Sequence, residues 1–254
     1  MTLVYVGTSG WNYFWNKGRN LSWYIENTGF NAVELNMSFY RFPIPTLPKY
    51  WSRIGSSLAW SIKVNRLITH RMRFSERSID VWKRFRRLFE PMERKGLIHF
   101  YLFQCPPSLR PTQKTIENIE RFVMHAELGE NMALEFRNNE WFRPKWEEWG
   151  ENLGITLVSV DAPDFRGVIL RTSDRIYVRL HGRTEWYHHL YTRKEMMEIL
   201  QKIRGKLNGV QAIYFFLNNN HGMLPTGELI IETIQKHIPN LVFRRPESRI
   251  ASLY

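Results

Sequence analysis

Eight β-rich runs recur along the chain, most of them followed by a stretch with helical patterning, and this alternation restricts the fold more than any single motif. The runs are 3–8, 31–37, 59–65, 98–104, 131–136, 155–161, 176–181 and 211–218. Amphipathic stretches near 20–28, 46–55, 75–95, 113–127, 143–153, 192–207 and 226–237 predict helices between and after them. Only 162–175 lacks a helical pattern. Parallel strands need long crossovers, and eight of them within 254 residues fit one closed barrel better than an open sheet. The expected fold is α/β, a single (β/α)8 TIM-type barrel over 1–239 with its site at the C-terminal mouth. A basic tail is expected over 240–254, built around Phe243-Arg244-Arg245-Pro246-Glu247-Ser248-Arg249.

Strand parity says where the chemistry belongs. Side chains alternate between the faces of a strand, so each barrel strand sends one set toward the helices and the other inward. Val33, Leu35 and Met37 alternate with Ala32, Glu34 and Asn36, and Ile62 and Val64 alternate with Ser61, Lys63 and Asn65. Met132, Leu134 and Phe136 oppose Ala133, Glu135 and Arg137, while Ile176, Val178 and Leu180 oppose Tyr177, Arg179 and His181. The last run sets Ile213, Phe215 and Leu217 against Tyr214, Phe216 and Asn218; Gln104 and Asp161 close the fourth and sixth. The apolar sets suit the helix side, so the polar sets point inward and gather where barrel enzymes build their sites. Buried charge without a partner is costly, so these groups must pair, meet a ligand, or both.

Composition narrows the partner. There are 36 basic and 24 acidic residues, a net charge of +12, which favours an anionic partner with nucleic acid first. The densest stretch, Arg66 to Lys95, carries a helical stripe of Ile79, Trp82, Phe85, Phe89 and Met92. Lys83, Arg84, Arg86 and Arg87 fall largely off that stripe, as either a solvated face or a phosphate-contacting ridge. The single cysteine, Cys105, excludes an internal disulfide and a cysteine-based zinc cluster, and its apolar surroundings fit a small buried hydrophobe. Residues 1–6 lack a signal-peptide pattern, and the run Ala212–Leu217 is far short of the roughly 18 residues a membrane helix needs. A cytoplasmic protein without membrane contact is expected.

The inward charges limit the chemistry further. Glu34, Glu135 and Asp161 face Lys63, Arg137 and Arg179, with His181 able to titrate. Three cations among three carboxylates disfavour a divalent metal, so no metal or other cofactor is expected. Arg137 and Arg179 can fork onto phosphate or carboxylate, beside the compact charge of Lys63. Asn36, Gln104 and Asn218 can read hydroxyls or base edges. The candidate catalytic groups are Glu34, Lys63, Glu135, Asp161 and His181, with Glu34 and Glu135 as acid and base if their pKa values are pushed apart. The alternative is a self-neutralising ion-pair network that only holds the mouth together. Among the aromatic residues after the strands, Trp11, Tyr40 and Trp186 are best placed to stack on a ligand, and the others fit roof packing. His70 and His221 read as hydrogen-bonded structure, and His188 and His189 as a loop pair.

At these strand ends the chain resembles the YecE-like proteins, also called domain of unknown function 72. The resemblance rests on Gly7-Thr8-Ser9-Gly10-Trp11, on Val33-Glu34-Leu35-Asn36 running to Pro43, and on Ser61-Ile62-Lys63-Val64-Asn65 running to His70. It continues through Phe103-Gln104-Cys105-Pro106-Pro107-Ser108, Ala133-Leu134-Glu135-Phe136-Arg137 with Trp141-Phe142, Val178-Arg179-Leu180-His181-Gly182-Arg183 and Phe216-Leu217-Asn218-Asn219. It spans roughly 5–235 and implies a TIM-type barrel with a site at these strand ends, without an established activity. Two departures stand out: the run after Asn218-Asn219 lacks the family's usual acidic residue and second Asn-containing helix, and Cys105 replaces a common leucine. Three readings of function follow. The leading one is nucleic-acid or phosphodiester binding at the mouth, with hydrolysis of a phosphodiesterase or nuclease kind. The others are an enzyme acting on a small phosphorylated or sugar-like molecule, and a binding protein without turnover. No oligomeric state follows from the residues.

Overall fold

Every run read as a strand forms one, and the eight close on themselves. The computed structural model describes residues 1–246. The strands are β1 (Thr2–Ser9), β2 (Ala32–Leu35), β3 (Ala59–Lys63), β4 (Ile98–Gln104), β5 (Met132–Glu135), β6 (Thr156–Asp161), β7 (Arg175–Leu180), β8 (Ala212–Leu217) and a short β9 (Leu241–Phe243). The helices are α1 (Leu21–Thr28), α2 (Met37–Tyr40), α3 (Thr46–Ile54), α4 (Arg77–Leu88), α5 (Glu90–Glu93), α6 (Gln113–Ala126), α7 (Pro144–Asn152), α8 (Arg193–Arg204) and α9 (Met223–His237). Strands β2 to β8 pair in chain order, β8 pairs β1, and β1 returns to β2, all parallel. That is a closed (β/α)8 barrel. As expected, no helix separates β6 from β7.

The helix expected over 75–95 is split in two. Pro91 lacks an N–H and falls in the first turn of α5, so α4 stops at Leu88 and the chain restarts. Among the short elements that escaped the sequence pattern are α2 and a π-turn over Leu67–Arg71 after β3. Both lie in loops at the C-terminal rim, beside the candidate site.

The tail expected from residue 240 starts instead as part of the sheet. β9 pairs with β1 in the register Thr2↔Leu241 to Val4↔Phe243, while β2 pairs further along at Gly7↔Ala32 to Ser9↔Glu34. Since β8 occupies the other side of β1, β9 fills the lower half of the seam between β1 and β2. Asn31 fastens this junction: its amide donates to the carbonyls of Val4 and Arg244 and accepts from Val6 N–H. Higher in the seam, Gly7 is obligatory, because a Cβ there would lie 2.3 Å from the Ala32 carbonyl oxygen. The rest of the expected tail, 247–254, lies outside the described residues.

Parity sorts the core into two compartments. Val33, Leu35, Ile62, Leu134 and Val178 pack outward against helix residues such as Trp82, Phe85 and Phe122. Inside the barrel, Phe100, Leu102, Val158, Val160, Tyr177, Tyr214 and Phe216 form a separate apolar plug. Phe100 packs edge-on against Tyr177 and Tyr214, at 4.9 and 4.8 Å between ring centroids. Above this floor the interior turns from aromatic to charged.

Candidate functional site

Tyr177 marks the boundary between the two layers. Its ring belongs to the floor, while its hydroxyl donates to Glu34 Oε2 at 2.8 Å and meets Ser61 Oγ at 2.7 Å. Above it lies Arg179, fully buried on β7. Its Nη2 donates to Glu34 Oε1 at 2.6 Å and its Nη1 to Glu135 Oε2 at 2.5 Å. One guanidinium thus spans two carboxylates from β2 and β5. Glu34 Oε1 also accepts from Ser9 Oγ at 2.9 Å, and Glu135 Oε1 is ion-paired with Arg137 Nε. Arg137 Nη2 reaches His181 Nε2 at 3.0 Å, and Asn218 meets His181 Nδ1 at 3.2 Å. A guanidinium only donates, so Nε2 accepts from Arg137, and the Asn218 side-chain amide lies against the other ring nitrogen.

Electrostatics follow from this packing. Burial would raise the Glu135 carboxyl, but Arg137, Arg179 and Lys63 outweigh it and hold the group at about 2. Burial, with Arg137, Arg179 and Lys63 nearby, keeps His181 well below the usual histidine value and therefore neutral. Burial pushes Lys63 down to about 7; Arg179 adds to this, and Glu34 and Glu135 oppose it. The Lys63 ammonium position lies 4.3 Å from the centre of the Phe39 ring. Two carboxylates thus balance two guanidinium groups, and Lys63 is left over.

Glu34, Lys63, Glu135, Arg137, Arg179, His181 and Asn218 therefore converge, as parity requires. Trp186 joins them as a roof, its ring 4.6 Å from the Arg137 guanidinium carbon and 5.3 Å from the His181 ring. Gln104 is half-buried on the inward face of β4, and its side chain has no hydrogen-bond partner among the described residues.

Other candidates fall elsewhere. Asp161 does not join the ring. Val158 and Val160 take the inward positions of β6, so Asp161 points to the helix side. There it accepts from Gly167 N–H at 2.7 Å, Tyr191 Oη at 2.7 Å and Arg183 Nε at 2.9 Å. It is a loop anchor, separate from the ring. Tyr40 is 67% exposed, with the Arg66 guanidinium 5.8 Å from its ring centre. Trp11 packs edge-on against Trp51 and Trp60. Asn36 donates to the Ser9 carbonyl at 2.9 Å, and its own oxygen is buried without a partner among the described residues. Trp11 and Asn36 line a cleft of about 360 Å³ with Ser9, Tyr13, Arg19 and Arg41.

The basic residues of α4 lie on the flank. Ile79, Trp82 and Phe85 turn inward, which leaves Lys83, Arg84 and Arg87 exposed on the outer side of the barrel. Arg86 is committed to structure, donating to Glu93 at 2.9 Å and to the Ala126 carbonyl at 3.1 Å. Cys105 is fully buried and its thiol is pushed up by burial and by Glu135, as expected of a packing residue. No group of three His, Cys, Asp or Glu side chains gathers at metal-binding geometry among the described residues. Nor is any described helix long and apolar enough to cross a membrane. Ser9, Ser61, Tyr13 and Tyr177 were not nominated from sequence. Parity already placed Ser61 and Tyr177 on the inward face, which was the available signal.

A parallel eight-stranded barrel with opposed charges at its C-terminal mouth defines a TIM-type barrel protein with a built polar centre. The chain belongs to the DUF72 family, described as a protein of unknown function, which matches residues 5–226. It is similar to the UPF0759 protein YunF of Bacillus subtilis strain 168, with 23% identity over 87% of this chain and 90% of that protein. Among solved structures it resembles a DUF72 family protein of Thermotoga maritima MSB8, with a TM-score of 0.78, 26% identity, and coverage of 92% of this chain and 100% of the other. A DUF72 family protein of Enterococcus faecalis V583 aligns with a TM-score of 0.79 at 15% identity, covering 97% of this chain and 98% of that one, a likeness of fold.

Proposed function

We propose that the barrel mouth binds a small molecule through an anionic group, phosphate or carboxylate, received by Arg137 with Lys63 alongside. Selective exposure carries this reading. Glu34, Glu135, Arg179 and His181 are completely enclosed, whereas Lys63 and Arg137 retain 7% and 9% exposure. A ligand entering the mouth meets the Arg137 guanidinium and the Lys63 amine. Because Glu34 and Glu135 are matched by Arg137 and Arg179, the carboxylates do not cancel an incoming anion. Recessed cations suit a compact ligand better than a polymer backbone. The same pairing argues against Glu135 as a general acid, since its proton is lost above about pH 2.

Thermal denaturation with inorganic phosphate tests the proposal. Phosphate is expected to raise the Tm of the wild type in a saturable way and to leave Arg137→Gln unshifted. Equal shifts in both proteins would refute it. Nucleic-acid binding is the second reading, favoured by the net charge of +12 and by exposed Lys83, Arg84 and Arg87. It requires binding of labelled DNA or RNA that weakens steeply with salt and drops when those three flank residues are neutralised.

A further inference from the structure

We infer that Lys63 is a nucleophile that forms an imine with an aldehyde or ketone bearing an anionic group, an inference that rests on the reading of the mouth as an anionic small-molecule site. The starting observation is a missing partner. Two carboxylates stand in the same ring, yet among the described residues Lys63 makes neither a hydrogen bond nor an ion pair through its amine. Their oxygens are taken by Arg179, Arg137, Ser9 and Tyr177. The amine instead rests against the face of Phe39.

The surroundings favour the free base. Glu34 acts on it from β2, Glu135 and Arg137 from β5 and its following loop, and Arg179 from β7. Lys63 in turn depresses His181 beyond β7 and His70 in the π-turn after β3, both of which are also lowered by burial. With its opposite charges already matched, the ring has little to hold an ammonium. At about 7, half of the amine is unprotonated at neutral pH, against fewer than about one in a thousand for an ordinary lysine. A desolvated lysine beside another cation is a recognised form of activated amine nucleophile.

The chemistry balances with groups present in the ligand and in water. The nitrogen lone pair attacks the carbonyl carbon, the C–N bond forms, and the carbonyl π pair moves to oxygen. That oxygen gains a proton and the nitrogen loses one, giving a carbinolamine. A second proton lets the hydroxyl leave as water while the nitrogen lone pair forms C=N. The sum is amine plus carbonyl plus one proton, giving iminium plus water. Arg137, under the Trp186 ring, is placed to hold the anionic end of such a ligand. Gln104, two residues beyond the β4 partner of Lys63 and on the inward face, has an unspent amide for the transient hydroxyl.

Trapping the imine on the full chain tests this directly. The protein is incubated with pyruvate or with dihydroxyacetone phosphate in the presence of cyanoborohydride, whose hydride reduces C=N to a stable secondary amine. Intact mass and peptide mapping are expected to find one adduct, on Lys63, and none in Lys63→Met or Lys63→Arg. A second measurement needs no variant: trace acetylation of the native protein across pH. Lys63 is expected to react more than tenfold faster than exposed Lys83 at pH 7 and to level off above that pH. No adduct with either carbonyl compound, adducts spread over surface lysines, or Lys63 reactivity that rises only above pH 9 would each overturn the inference. The phosphate-induced Tm shift, read on the same samples, separates the two claims: a shift that needs Arg137 without a Lys63 adduct leaves the anion site standing and removes the imine. Absence of both removes both.

Discussion

Two clusters of buried charge sit at the C-terminal rim, one around Arg179 and one around Asp161, and they are built to different ends. Around Asp161 every partner is spent on holding backbone or another helix. Gly167 N–H fixes the β6–β7 connection, Tyr191 also receives Gly182 N–H at 3.1 Å, and Arg183 goes on to Glu198 at 2.7 Å. Around Arg179 the carboxylates are equally well satisfied, but among the described residues the amine of Lys63, the amide of Gln104 and Arg179 Nε have no hydrogen-bond partner. Burial and ion pairing are common to both clusters. What separates a candidate site from a brace is hydrogen-bonding capacity left without a partner among the described residues.

Substitutions can break or sharpen that contrast. Arg179→Gln is expected to have the largest effect, since it strands Glu34 and Glu135 without their bridging cation; breaking a buried pair this way costs about 3–5 kcal/mol. Urea denaturation measures it, and a loss below about 1 kcal/mol would mean the ring does not organise the mouth. Lys63→Met is expected to go the other way. With the amine at about 7 in the fold and 10.5 in the unfolded chain, the unfolded state binds more protons between those values. Wild-type stability should therefore rise with pH across that window. The Lys63→Met protein should be about 2–4 kcal/mol more stable at pH 7 and lack this part of the rise. A destabilised Lys63→Met would show that the lysine is a structural cation after all.

Asp161→Asn comes next, at about 1–3 kcal/mol, because the charged acceptor of Arg183 and Tyr191 is weakened. Phosphate should still shift the Tm of this variant, and loss of that response would merge the two clusters into one functional unit. Trp186→Ala is the mildest. Removing the ring over Arg137 should cost less than about 1 kcal/mol of stability and weaken phosphate binding a few-fold, read by titration calorimetry.

Most of the barrel and the centre of the site were legible because both follow from alternation. Glu34, Lys63, Glu135, Arg137 and Arg179 lie on or just beyond strands whose outward neighbours are plainly apolar, so their direction was determined by period two. Asp161 was misplaced for the same reason in reverse: it closed a strand, and its parity with Leu157 and Ser159 was outweighed by its charge. Trp11, Tyr40 and the residues of α2 sit in loops, where no period assigns a direction, and their positions depend on contacts distant in sequence. The basic face of α4 was readable as a face, but a helix stripe does not say that its far side looks away from the mouth. β9 was hidden because three residues in a basic segment carry too little pattern, and its pairing depends on a seam that Gly7 lets close above and Asn31 fastens below.

That late strand imposes a schedule on the molecule's making. Thr2 leaves the ribosome long before its partner Leu241, with seven other strands made in between. Until then the foot of the first strand keeps an unclaimed edge while the strands between the two are made. A nascent chain in that condition is open to capture by foreign strands or by chaperones, and the closing stitch falls to a three-residue segment beside a run of arginines.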